Sequence, residues 1–462
     1  MKKKNRILSV IIISAMLALS SAGCSSQQTS TKTNDTPEKN TTDGSYSDTK
    51  GMTSNSADSI KNNAADADEI PEKAPEMAAD STDRKIEMAA TDAVEGDTAP
   101  TDPHETFTEP SGEAPFEITS VPEIEPQAGL LTAGEWNDNN NWGFFTNLVN
   151  SDRIAFPSFD IDPRFRTAVT VSDKDGKPVM NAAARLIGND GKIIYEAVTG
   201  KDGIAYLFGE NESSGSKIEI EYNKVKQEYE IETPNTDTQS VAKSSGREVK
   251  VTFDGSSDAY KKTDVMFILD TTGSMGDEML FLQSEFTAIT EAVGTDNTRY
   301  SINFYRDEGD EYVTKFNDFT NDIPSLQKLL NNESASGGGD LPEAVDQILS
   351  EAINKSSWQE DSVKLAFLIF DAPPHEEKAA QTAQAVMGAA KRGIRIIPVV
   401  SSNSDRDTEL FGRAAAITTG GTYIFLTDDS GIGGSHLEPI IGEYKVEKLY
   451  DIIIRVINDY RQ

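Results

Sequence analysis

The chain has 462 residues, enough for two or three domains, and carries 77 Asp and Glu against 43 Lys and Arg, a formal net charge of −34. A chain this acidic is repelled by nucleic acid, which excludes nucleic acid as an expected partner and favours divalent cations or basic partners. One cysteine and three histidines exclude an intrachain disulfide framework and leave little for a Cys/His zinc site.

At the N-terminus Lys2, Lys3, Lys4 and Arg6 precede an apolar stretch, Ile7 to Leu19, that is short for a membrane span. Residues 1–23 therefore read as a signal peptide. The apolar stretch runs into "SSAGC", which resembles the lipobox of bacterial lipoproteins. That resemblance implies an exported protein, lipidated at Cys24 and held at the cell membrane or surface by its lipid anchor. Residues 24–127 are rich in Ser, Thr, Asp, Glu, Pro, Asn and Ala and poor in aromatic and β-branched clusters. They cannot bury enough apolar surface to offset their ordering entropy, so they read as a disordered acidic linker.

Residues 128–165 hold Trp136 and Trp142 among Asn, Asp and Phe. This segment is expected to dock as a cap on its neighbour, with "NDNNN" as a loop. Over residues 166–255 the period becomes two, punctuated by Asp175-Gly176, Asp190-Gly191 and Asp202-Gly203. Short strands with regular turn signals predict a β-sandwich. The run "DGKPVMNAAARL…TGKDGIAYL" resembles carboxypeptidase regulatory-like and related Ig-like domains, which implies a spacer or platform.

From residue 262 to 462 apolar runs alternate with amphipathic helices. The expected strands are Val265–Leu269, Tyr300–Tyr305, Leu365–Phe370, Ile394–Val400 and Thr422–Leu426. Continuous apolar strands between helices predict a Rossmann-like, doubly wound α/β fold with a parallel sheet. Ligands bind such sheets at the carboxyl ends of the strands.

At one such end stands "DVMFILDTTGSMGDE", in which Asp270, Thr272 and Ser274 are spaced i, i+2, i+4. In a loop over a strand end, one carboxylate and two hydroxyls at this spacing can converge on one point. A hard cation such as Mg²⁺ uses that set, taking six oxygens with few carboxylates. Neutral hydroxyls leave the ion electrophilic, so it seeks an external carboxylate.

"DTTGS" is similar to the core of the metal-ion-dependent adhesion site in von Willebrand factor type A domains. "GGGDLPEAV" (Gly337 to Val345) and the end of "LAFLIFDAPPH" at Asp371 match the family's further metal loops in the same order. The family's common second loop carries a threonine, whereas this chain offers Asp340 and Glu343, which resembles the integrin β variant. The resemblance implies Mg²⁺ or Mn²⁺ held by Asp270, Thr272, Ser274, Asp371 and either Glu343 or Asp340. It also implies an adjacent Ca²⁺ at Asp277 and Glu278.

Two plainer readings compete. Asp270 and Ser274 could cap the following helix, but capping gives no role to Asp371 or Glu343. Asp277 and Glu278 could simply complement a helix dipole. No P-loop, haloacid-dehalogenase pair or nucleophile elbow is present, so an enzyme is not expected. The expected function is a cell-surface module that binds a partner protein through a divalent cation bridging to an acidic side chain. The alternative is a structural scaffold lipoprotein whose metal only stabilises the domain.

Overall fold

A computed structural model describes residues 131–232, 242–257, 261–339, 341–430 and 434–461. The signal peptide, Cys24, residues 24–127 and Asp340 lie outside the described residues.

The first strand, β1 (Thr132–Trp136), is followed by helix α1 (Trp142–Asn150). Seven strands come next: β2 (Phe165–Ser172), β3 (Ala183–Ile187), β4 (Ile193–Val198), β5 (Ile204–Gly209), β6 (Lys217–Tyr222), β7 (Val225–Glu230) and β8 (Ser245–Thr252). They form two small sheets, of order β5-β2-β8 and β4-β3-β6-β7. Alternating burial along β3 and β6 follows the period of two, with Ala184, Leu186, Ile218 and Ile220 all buried. β2 and β8 pair in parallel, a long-range pairing that alternation alone does not encode.

The remaining elements are β9 (Lys262–Asp270), α2 (Gly276–Val293), β10 (Thr298–Tyr305), β11 (Thr314–Lys315), α3 (Ile323–Asn331), α4 (Val345–Asn354) and β12 (Ser362–Phe370). Then follow α5 (Ala379–Lys391), β13 (Ile394–Val400), α6 (Arg406–Thr419), β14 (Tyr423–Thr427), β15 (Glu447–Lys448) and α7 (Leu449–Arg461). The large sheet has the order β11-β10-β9-β12-β13-β14-β1-β15. β10, β9, β12, β13 and β14 run parallel, so the loops after them open at one end.

Helices cover both faces of this sheet, as the unbroken apolar strands require. On one face Phe286 and Ile289 of α2, Leu326 of α3 and Ile453 of α7 pack against Val265, Phe267, Leu365 and Phe367. Phe267 and Phe367 stack at 5.4 Å between centroids. On the other face Ile348, Val386, Ala389 and Ile417 join one hydrophobic cluster with Val169, Leu186 and Leu207 of the small sheets. Fully burying each Leu, Ile, Val or Phe side chain contributes about 1.5–3 kcal/mol.

Two expectations are corrected. The sheet is mixed, not purely parallel, because β1 pairs antiparallel with β14 and β15, and β11 pairs antiparallel with β10. The tryptophan-rich segment is not a cap over the domain; its first part is a strand within the sheet. Gly134 makes this possible, since a Cβ there would run into the rings of Phe425 and Tyr444. The "NDNNN" loop then anchors the strand: Arg413 donates to both Asp138 oxygens at 2.8 and 2.9 Å, and the Trp136 indole donates to Asp138 at 3.0 Å.

The two small sheets are consequently inserted between the first strand of the α/β sheet and the rest of it. They are fixed by further bonds: the Tyr195 hydroxyl donates to the Thr418 carbonyl at 3.1 Å, and Arg395 donates to the Val198 carbonyl at 2.8 Å.

Candidate metal centre

Strand β9 delivers Asp270 to the open end of the sheet, where burial leaves it 1% exposed. The chain then turns sharply. The Thr272 amide and hydroxyl donate to Asp270 Oδ1 at 2.9 and 2.7 Å, which holds that carboxylate and leaves the lone pairs of the Thr272 oxygen available. A short 3₁₀ turn, Gly273–Met275, follows, with Ser274 exposed at the rim.

Asp371 ends the strand neighbouring β9 and is 4% exposed. The nearby Ser274 hydroxyl partly offsets the rise in its pKa. Glu343, 3% exposed, arrives from the loop before α4 and is held by its amide, which donates to the Pro373 carbonyl at 3.0 Å. The glycines before it permit this approach. Gly338 has φ 72°, and a Cβ there would stand 3.1 Å from Glu343 Oε1 and 3.2 Å from Thr272.

Asp270, Thr272, Ser274, Glu343 and Asp371 are thus brought to one end of the sheet. Asp277 and Glu278, expected to act as a pair, are separated. Asp277 is exposed on the first turn of α2, whereas Glu278 is 2% exposed. Glu278 Oε1 accepts from the amide and hydroxyl of Ser402 at 3.1 and 2.6 Å, tying α2 to the loop after β13. Adjacent helical positions point about 100° apart, so one faces the core and the other the solvent.

Burial raises all three carboxyl pKa values. Asp270 is pushed up to about 7, first by burial and then by the charge of Asp371. Glu343 is pushed up to about 9 by burial and by the charges of Asp270, Asp307, Asp371 and Asp310. Asp371 is pushed up to about 6 by burial and by Glu278.

Asp270 Oδ2, Asp371 Oδ1 and Glu343 Oε2 are buried without a hydrogen-bond partner. Among the described residues no group of three or more His, Cys, Asp or Glu side chains is gathered to hold a metal ion by such groups alone. The donor set is mixed, with hydroxyls completing the carboxylates. Buried acceptor oxygens that face no donor and repel one another fit a hard cation.

Several neighbours were not singled out from sequence. Asp307 stands two residues past the end of β10 and is 7% exposed; its Oδ1 lies 2.7 Å from His375 Nε2. Asp310 accepts from the Gly338 amide at 2.9 Å and so pins the glycine loop. The Tyr305 hydroxyl is buried near Asp270 without a hydrogen-bond partner. Asp307 carries the same positional signal as Asp270 and Asp371, an acid just past a buried parallel strand. Tyr305 reads as an ordinary core residue until β9 and β10 are set in register, where it pairs with Asp270.

Residues 264–432 match the family model of the von Willebrand factor A domain. A 186-residue stretch is 27% identical to the ariadne-like RING finger protein R811 of Acanthamoeba polyphaga mimivirus. The match covers 35% of this chain and 18% of that protein, so the chain spans about a fifth of that relative's length. The mixed sheet with helices on both faces agrees with the match of residues 264–432 to the von Willebrand factor A domain, to which this part of the chain is similar.

Proposed function

Domains of this type commonly take part in protein–protein interaction and adhesion, and we propose that this one captures a partner protein through a divalent cation. The observation that carries the reading is the set of three buried, unpartnered carboxylate oxygens, on Asp270, Asp371 and Glu343, beside two hydroxyls. Asp270, Thr272, Ser274, Asp371 and Glu343 would hold Mg²⁺ or Mn²⁺, and Asp340 is a further candidate ligand. When bound, such an ion supplies a Lewis-acidic position for a carboxylate oxygen from the partner.

The chain's own residues do the rest. Thr272 keeps Asp270 oriented through hydroxyl donation, and Ser274 stands beside Asp371. Exposed Ser274 and the exposed glycines Gly337 to Gly339 leave a way in from solvent. Nothing in this reading requires turnover, and we assign the domain a binding role and not an enzymatic one. Glu278 gives one oxygen to Ser402 and keeps its Oε2 buried without a partner, so an adjacent Ca²⁺ would rest on that oxygen, with Asp277 exposed on the other side of the helix turn. The lipobox-like Cys24 supports an exported, lipid-anchored protein that displays this domain at the cell surface.

Titration calorimetry of Mg²⁺, Mn²⁺ and Ca²⁺ into the full chain and its Asp270→Ala variant tests the reading. Saturable uptake lost in the variant is expected; no uptake by the parent chain would refute it. A scaffold whose metal only stabilises the domain would lose thermal stability in EDTA before losing any bound partner.

A further inference from the structure

We infer that the partner is a basic protein surface that presents its single metal-seeking carboxylate among Lys and Arg side chains. This rests on the cation-bridged reading above and goes beyond it, because the metal alone selects only a carboxylate.

The loops after the parallel strands β9, β10, β12, β13 and β14 surround the cluster at one end of the sheet. Exposed on them, or on the helical turns they lead into, are Asp277, Glu308, Glu311, Glu376, Glu377 and Asp429. The basic side chains of the same loops are already engaged. Lys378 faces Glu308 at 3.4 Å, Arg306 faces Glu311 at 3.6 Å, and Arg406 is paired with Glu409. Asp277, Glu376 and Asp429 have no such cation among the described residues.

The four-stranded sheet, by contrast, neutralises its acids locally. There Arg185 bonds Glu196, Glu219 and Glu221, and Lys217 bonds Glu228 and Glu230. The metal end therefore carries uncompensated negative charge around the buried carboxylates. Within this ring lie Asp270, Glu343 and Asp371, each at least nine-tenths buried with an unpartnered oxygen, which mark the ring's centre as the ligand position. An acidic partner surface would be repelled on approach. A basic one is steered in and held at the rim, while its one carboxylate reaches the centre.

The test uses the full chain in Mg²⁺ and three labelled peptides read by fluorescence anisotropy. One has a central Glu flanked by Lys and Arg, the second has Ser and Gln in place of the basic residues, and the third is the basic peptide with its Glu changed to Gln. The basic Glu peptide should bind about tenfold more tightly than the neutral one at low salt, an advantage that fades near 0.5 M salt.

In the triple variant Glu376→Gln, Glu377→Gln, Asp429→Asn that advantage should largely vanish while Mg²⁺ uptake is unchanged. Equal binding of basic and neutral peptides, indifference to the triple variant, or no peptide binding at all overturns the inference and leaves the metal reading standing. Equal binding of the Glu and Gln basic peptides in EDTA and in Mg²⁺, lost in the triple variant, upholds the basic partner and overturns the metal reading.

Discussion

In metal-free protein Asp270→Asn should be stabilising, although it destroys the candidate metal centre. Asp270 is buried beside Asp371 and its carboxyl is pushed from 3.8 up to about 7. A shift of about three units corresponds to about 4 kcal/mol of charge destabilisation once the group is ionised. Asparagine keeps the oxygen that accepts from Thr272 but buries an unpaired amide, which costs about 1–2 kcal/mol. The net expected gain at pH 8 in EDTA is about 2–3 kcal/mol, read as a higher denaturation midpoint.

A carboxyl whose folded pKa is raised contributes stability below its unfolded pKa and loses it as pH climbs through the folded value. The variant should therefore be the less stable of the two at pH 4, by the cost of its buried amide, overtake the parent between about pH 4 and 7, and level off above pH 7. Saturating Mg²⁺ at pH 8 should stabilise the parent chain and leave Asp270→Asn unmoved. A variant less stable than the parent at pH 8 in EDTA, or a parent chain indifferent to Mg²⁺, would refute the assignment of these carboxylates to a cation.

Asp138→Ala removes two of the four acceptors of the fully buried Arg413, leaving Glu409 and the Ile440 carbonyl, and should destabilise the chain by about 1.5–3 kcal/mol, measured by chemical denaturation. Gly134→Val drives a side chain into Phe425 and Tyr444 and should cost at least about 1–3 kcal/mol, with loss of amide-exchange protection concentrated in β1 and β14. Lys364 is buried in β12 and its pKa is lowered to about 8 by burial. Lys364→Met should raise stability at pH 7 by about 1–3 kcal/mol, a gain that shrinks as pH rises above about 8, where the folded-state lysine is already neutral.

The local part of this protein is legible in one dimension. A run of apolar residues ending in "DTTGS" specifies a buried strand that opens into an oxygen-rich turn, because strand burial and turn chemistry act over a few residues. Asp371 is legible for the same reason, as an acid at the end of "LAFLIF". The period of two over residues 166–255 and the amphipathic helices after residue 342 follow from side-chain geometry along a single element.

What only the tertiary structure decided joins distant residues. β1 enters the sheet some 290 positions away from its partner β14, on the strength of Gly134 and the Asp138–Arg413 pair, and no local pattern in "TAGEW" encodes that. Asp277 and Glu278 look equivalent in sequence, yet helix geometry exposes one and hands the other to Ser402. Asp307, Asp310 and Tyr305 join the site only when β9 and β10 are aligned and the glycine loop folds over them. Patterning sets each element's buried face, whereas a cation site requires charges from several loops to meet, and that meeting is a property of the packed sheet.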